Sequence, residues 1–348
     1  MSVARVRDSL DAESTALSVS RAALAGLVAL FLGLRAAGVR VPVRTRAAVY
    51  LVGMVALNLP HGGYEHFANL RRRAIRFRGR YVAGYLLAAG AFVGLFRLAP
   101  VAGLALAIAV AVAKGGGGDF HVLAATTGTD HLRSRPQRLL AVAARGGAVM
   151  AVPIVAFPHT FRAFSGLMVG LVDPGGLGAV ATHFEVVRPL VGGLYGATVL
   201  AHLGWGFYNR TGSGAWLADA AETTLLVTYF AVVPVLVAVG LYFPLWYSLR
   251  QVARELAVDE PSPDGPDLLA ADSPGGTALR AWGVLVAGAL ATALVALGFR
   301  LVVPNPLAAA SFRFGAVAFW SVFISVVALP HVVVGQVLDR RRGIWYVP

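Results

Sequence analysis

Apolar residues run in long blocks along this chain, separated by short polar stretches rich in arginine, proline and glycine. A helix needs roughly 20 apolar residues to cross about 30 Å of hydrocarbon, and blocks near that length recur from end to end. They predict membrane segments near 21–37, 47–61, 81–97, 99–113, 139–158, 186–207, 222–249, 279–303 and 314–338. A weaker one at 163–181 is interrupted by Asp173-Pro174-Gly175-Gly176. The pattern therefore predicts an all-α fold, a polytopic transmembrane bundle of eight to ten helices. The count is a range because the short and weak segments suit re-entrant or interfacial placement as well as a full crossing. Residues 1–20 read as an N-terminal cytoplasmic tail without the apolar core of a signal peptide. Residues 21–342 read as a single transmembrane domain. Within it, 259–276 is acidic, rich in Pro, Gly and Ser, and reads as a flexible loop. No polar stretch is long enough for an added soluble domain.

Composition sharpens this reading. Of 348 residues, 57% are hydrophobic and only 14% charged, against about a quarter charged in soluble domains. The formal charge is +13, almost all from arginine, with Lys114 the sole lysine. The arginines cluster at the ends of apolar blocks, which points to topology and headgroup contact and not to nucleic acid. Three positive groups, Arg71 to Arg80, Lys114 to Arg138, and Arg340 to Arg342, fall on one side when ten segments are counted. That side and the N-terminus are assigned to the cytoplasm of a multi-pass protein of the cell membrane. Arg35, Arg40, Arg44 and Arg46 run against this assignment. The absence of cysteine excludes disulfides and thiolate-held metals.

Histidines and carboxylates at the edges of apolar blocks carry the candidate chemistry, because ionisable groups near lipid mark pathways, metals or ligands. His61, Glu65 and His66 stand in Asn58-Leu59-Pro60-His61-Gly62-Gly63-Tyr64-Glu65-His66. His121 follows Gly115 to Gly118 and Asp119-Phe120, where the glycines suggest a broken helix or a close backbone approach. His331 lies near the end of the last block, and Tyr247, Arg250 and Gln251 end the long block 222–249. On the ten-segment topology all of these reach one layer of the bilayer. His131 reads as a loop residue, His159 and His183 as structural, and His202 as part of an aromatic belt. Two histidines with a carboxylate, from Glu65 or Asp119, suit non-haem Fe(II). The same spacing suits a buried hydrogen-bond network equally well. A small-solute transporter would also use such a layer, but paired broken helices in corresponding halves are not evident.

In order along the chain, Pro60-His61-Gly62-Gly63-Tyr64-Glu65-His66, Phe120-His121, Arg145-Gly146, Phe157-Pro158-His159, Trp246-Tyr247-Ser248-Leu249-Arg250-Gln251 and Leu329-Pro330-His331 resemble blocks of the Brp/Blh family of membrane β-carotene 15,15'-dioxygenases. The resemblance covers about residues 50–342. It implies an enzyme that cleaves β-carotene with O2 at the central 15,15' double bond to give retinal. It also implies Fe(2+) as cofactor, the lipid bilayer as the source of substrate, and a retinal protein as a partner. The family's four iron-ligand positions fall at His61, His121, Tyr247 and Gln251, so two of its imidazoles are replaced here. Glu65 stands where the family has Asp. Glu65, His66 and His331 are the further catalytic candidates, and Trp246, Tyr242 and Phe243 join Tyr247 as candidates to line the polyene path. The alternative reading is a non-catalytic carotenoid- or retinal-binding paralogue that has lost those two histidines.

Overall fold

The computed structural model describes residues 3–58, 75–251 and 274–338, apart from the side chains at 3–12, 75–78, 179, 274–275, 277–278, 331 and 334–338. His61, Glu65, His66 and most of the 259–276 loop lie outside the described residues. Among those described, every regular element is helical. The helices are α1 (Val3–Ala36), α2 (Val43–Leu51), α3 (Ile75–Leu98), α4 (Pro100–Thr126), α5 (Arg135–Ala156) and α6 (Pro158–Gly170). They continue as α7 (Phe184–Asn209), α8 (Gly214–Val232), α9 (Val235–Tyr242), α10 (Pro274–Val302) and α11 (Phe312–Leu338), with a single helical turn at Gly178–Ala181. Two π-helical segments extend α2 (Val52–Leu57) and α9 (Phe243–Ser248). Among the described residues seven helices are long and apolar enough to cross a membrane, and the chain is a membrane protein.

Three sequence expectations need correction. The block 222–249 is not one helix. α8 ends at Val232, and Val233 is extended (φ −79°, ψ 128°) before Pro234. Proline lacks an N–H and bars the α region to the residue before it, so the apolar run is broken at mid-length. The block 99–113 is too short, because α4 runs on to Thr126 straight through Gly115 to Gly118. The weak segment 163–181 reduces to α6 and the separate turn at Gly178–Ala181. In addition, α1 begins at Val3, so most of the stretch assigned to a tail is helical.

The glycines of α4 serve close approach. A Cβ on Gly116 would lie 2.0 Å from the Val142 carbonyl oxygen, and one on Gly146 would lie 2.0 Å from the Val112 carbonyl oxygen. Helices α4 and α5 therefore cross in backbone contact, the small-residue packing that membrane helices use where no hydrophobic driving force exists between them. Ser134 fixes the start of α5 through a reciprocal capping box with Gln137. One apolar cluster joins α3, α4, α6, α10 and α11 around Phe92, Phe96, Phe299 and Phe323. A second joins α1, α5, α8 and α9 around Leu24, Tyr229, Phe230 and Trp246.

Gly146→Leu is expected to force this crossing apart and to lower stability by about 3 kcal/mol. Gly94→Ala, with open space around its Cβ position, should change little or gain up to about 1 kcal/mol. Thermal unfolding of the two purified variants in one detergent checks the contrast.

Candidate active site

The most costly feature of the interior is a set of charges among apolar helices. Arg145 is fully buried. Its Nε donates to Asp119 Oδ2 at 2.6 Å, its Nη1 to Asp219 Oδ1 at 2.7 Å, and its Nη2 to Glu222 Oε2. Arg250 binds Asp119 Oδ1 at 3.2 Å and Glu222 Oε1 at 2.8 Å, donates to Ser20 Oγ at 2.7 Å, and stacks on the Trp246 ring at 3.4 Å. Trp246 Nε1 donates to Asp119 Oδ1 at 2.9 Å, and Arg21 reaches Glu222 at 2.8 Å. Three guanidiniums thus face three carboxylates, so the group is balanced and its polar atoms are matched. A buried ion pair tolerates its desolvation only under those two conditions.

Two histidines close the outer side of this network. His131, buried in the loop between α4 and α5, has Nε2 2.9 Å from Asp219 Oδ2. His202 Nε2 lies 3.1 Å from the same oxygen. Both placements add what the sequence reading lacked, a buried carboxylate partner. His131 does lie in a loop but is buried there, and His202 is buried against Asp219. The signal that could have found the network is Asp219 and Glu222, three residues apart on one face of an apolar helix. Outside the spans, Thr211 donates to Asp130 at 2.6 Å, a bond that holds the Asp130 carboxyl below its usual range.

The predicted iron-site residues are brought together in part. Tyr247 and Gln251, both buried, pack on α4 at Gly118. A Cβ there would lie 2.6 Å from Tyr247 Cε2 and 2.9 Å from Gln251 Nε2. His121 is three residues further on, about one helical turn. Ser248 Oγ donates to Asn58 Oδ1 at 2.7 Å, which ties the end of the first π segment to the second. His61 follows Asn58 by three residues in the sequence. Asp119 is removed from the candidate ligands. It sits about 200° around α4 from His121, and both its oxygens serve Arg145, Arg250 and Trp246. His331 belongs to α11, and its side chain is not among those described. Among the described residues no group of three histidines and carboxylates converges on a metal-sized point.

Two cavities flank this turn of α4. The inner one, about 100 Å³, is lined by Tyr50, Ala107, Ala111, Pro153, Met168 and Phe243, among others, from α2, α4, α5, α6, α9 and α11. The outer one, about 410 Å³, is lined by Gly117, Phe120, His121, Arg138, Val142 and Val332, among others. Phe243, in the wall of the inner one, meets Tyr247 edge to face at 6.1 Å. Of the aromatics expected along a polyene path, Phe243 lines the inner cavity and Tyr247 stands beside it. Trp246 is instead engaged in the ionic network.

The family model for β-carotene 15,15'-dioxygenase matches residues 52–339. The chain belongs to the β-carotene 15,15'-dioxygenase family. It is 54% identical over 338 residues to "Probable beta-carotene 15,15'-dioxygenase Brp" of Halobacterium salinarum, covering 95% of this chain and 94% of the relative. It is 35% identical over 347 residues to "Probable beta-carotene 15,15'-dioxygenase Blh" of the same organism, covering 98% and 96%. No solved structure matches. Of the family's four ligand positions, those at Tyr247 and Gln251 pack on α4 at Gly118, one turn before His121, and His61 lies outside the described residues. The donors at 247 and 251, a phenol and an amide, are weaker toward Fe(II) than the imidazoles they replace.

Arg145→Met leaves three buried carboxylates short of a partner and is expected to cost about 3–5 kcal/mol. The exposed Arg300→Met should stay within about 0.5 kcal/mol. Thermal unfolding midpoints in detergent compare the two.

Proposed function

We propose that this protein cleaves β-carotene with O2 at its central double bond, giving two molecules of retinal, within the cell membrane. The reading is supported by one observation: Tyr247 and Gln251 pack on α4 at Gly118, one turn from His121, which lines a cavity that opens at the bundle surface. The substrate is a long apolar polyene that does not leave lipid readily. A site reached from the bilayer removes the need for transfer through water. Leu139, 68% exposed and lining the outer cavity, marks the opening.

Iron(II), held by His61 and His121 with Glu65 and with Tyr247 and Gln251 alongside, would supply the activation of O2 at this point. The chain's own residues do the rest. The apolar cavity walls orient the conjugated chain and keep water out. The close packing of Tyr247 and Gln251 on Gly118 holds the second π segment against the turn that carries His121. Such π segments recur at functional sites because the extra residue re-aims the side chains that follow. His66 and His331 are assigned to orienting the ligands or guarding the path. Retinal would return to the bilayer, where a retinal protein takes it up.

The substitutions at 247 and 251 favour a second reading, a carotenoid-binding paralogue that no longer cleaves. Expression in a host that makes β-carotene separates the two. Bleaching with accumulation of retinal, abolished in His121→Ala together with bound iron, is the outcome for the enzyme. Orange, iron-free protein that copurifies with pigment is the outcome for the paralogue. Restoring imidazoles with Tyr247→His and Gln251→His is expected to raise iron affinity about tenfold or more, the scale on which changes around a metal ligand act. Metal content after graded chelation reads this out. No gain would mean that these two positions do not face the metal.

A further inference from the structure

Lys114 stands apart from the other cations of this chain. Of 30 lysines and arginines it is the sole lysine. The cations of the buried ionic network, Arg21, Arg145 and Arg250, are all arginines. Lys114 lies inside α4, a helix long and apolar enough to cross the membrane, where a charged side chain is costly and marks a function. A cation kept only for its charge, or for stacking on a ring, is served as well or better by arginine. What arginine lacks is a primary amine able to bond covalently to a carbonyl carbon.

The position of Lys114 places that amine beside the candidate site. At about 100° per residue, Lys114 and His121 point within about 20° of one another on α4, about two turns apart. Between them lies Gly118, on which Tyr247 and Gln251 pack. Lys114 Nζ sits 5.7 Å from the centroid of the Tyr247 ring, so the amine faces the side chain seated on Gly118. In sequence Lys114 falls between Ala113 and Gly117, which with Phe120 and His121 line the outer cavity of about 410 Å³. Sites for small organic ligands have volumes of about 300–1,000 Å³. Exposed Arg135, Arg138 and Leu139 stand at the margin of this cavity.

We propose that Lys114 captures retinal as an imine beside the turn where it is formed. The inference rests on the cleavage reading given above, which makes the product an aldehyde. Lys114 Nζ adds to the aldehyde carbon and a C–N bond forms. The carbonyl oxygen then leaves as water, with two hydrogens from the nitrogen. Overall, ammonium plus aldehyde gives iminium plus water, so charge is conserved and no oxidant or reductant is consumed. The iminium keeps its positive charge in front of the Tyr247 ring, a cation–π placement. With a single lysine in the chain, one of the two retinals is held while the other departs. Water from the exposed margin at Arg135 and Arg138 then reverses the step and frees the second.

The test adds all-trans-retinal to the purified full chain in detergent and reduces any imine with cyanoborohydride. Intact mass and peptide mapping then locate the retinyl group, with the N-terminal amine as internal reference. One retinyl group per chain is expected on Lys114. It should form at least about tenfold faster than on the unfolded protein, because a positioned amine outpaces a free one. Before reduction the complex should absorb to the red of free retinal. Lys114→Arg, which keeps the charge, should lose both signals, and Lys114→Gln replaces it should the arginine variant fail to fold. Labelling confined to the N-terminal amine, labelling of Lys114 no faster than in the unfolded protein, or a red-shifted band that survives in the variant would each overturn the capture. In a β-carotene-producing host, borohydride added at lysis should leave the same mark on Lys114. A host that accumulates no retinal would instead overturn the cleavage reading, while the experiment with added retinal decides the imine by itself.

Discussion

A guanidinium without water must have its donors met by carboxylates or carbonyls, and Arg145 meets that demand with three carboxylates from two other helices. Everything near the candidate site is arranged around this constraint. Asp119 comes from α4, and Asp219 and Glu222 come from α8. Arg250 and Arg21 then balance the remaining negative charge, and Arg250 draws in Trp246 and, through Ser20, helix α1. In lipid, where apolar surface supplies little driving force between helices, such a network gives the bundle a register that apolar packing alone would leave loose. Sliding α4 past α5 by one turn would strand several charges at once.

Helix α4 shows how much one segment can be asked to do when its faces are used separately. Gly116 lets α5 approach to backbone contact, Gly118 seats Tyr247 and Gln251, Asp119 engages the ionic network, and His121 looks into the outer cavity. The four functions lie within two turns. They do not interfere because successive residues point about 100° apart. The clamp on Asp119 also fixes the rotation of the helix about its axis, and with it the direction of His121.

The departure from the family pattern at Tyr247 and Gln251 acquires a structural meaning. Both side chains are buried and in contact with α4, so neither has drifted out of the site. What differs is donor strength, since a neutral phenol and an amide hold Fe(II) less firmly than imidazole. On the proposed reading, a bound iron would depend the more on His61, His121 and Glu65.

The apolar blocks alone determined that this chain is an all-helical membrane bundle, since the cost of unpaired backbone in hydrocarbon leaves few other solutions. The order of its histidine blocks pointed to the family. Local pattern failed where partners are distant in sequence. Pro234 cut a helix that the unbroken valine and leucine run concealed. For Gly115 to Gly118 the pattern left a broken helix and a close approach both open, and the close approach within an intact helix is the one formed. His131 and His202 turned inward to Asp219, and Asp119 turned away from the site to Arg145. Direction was the missing quantity. Sequence fixes which residues share a helix face, but which neighbour that face meets depends on helices far along the chain. Only the tertiary structure could decide it.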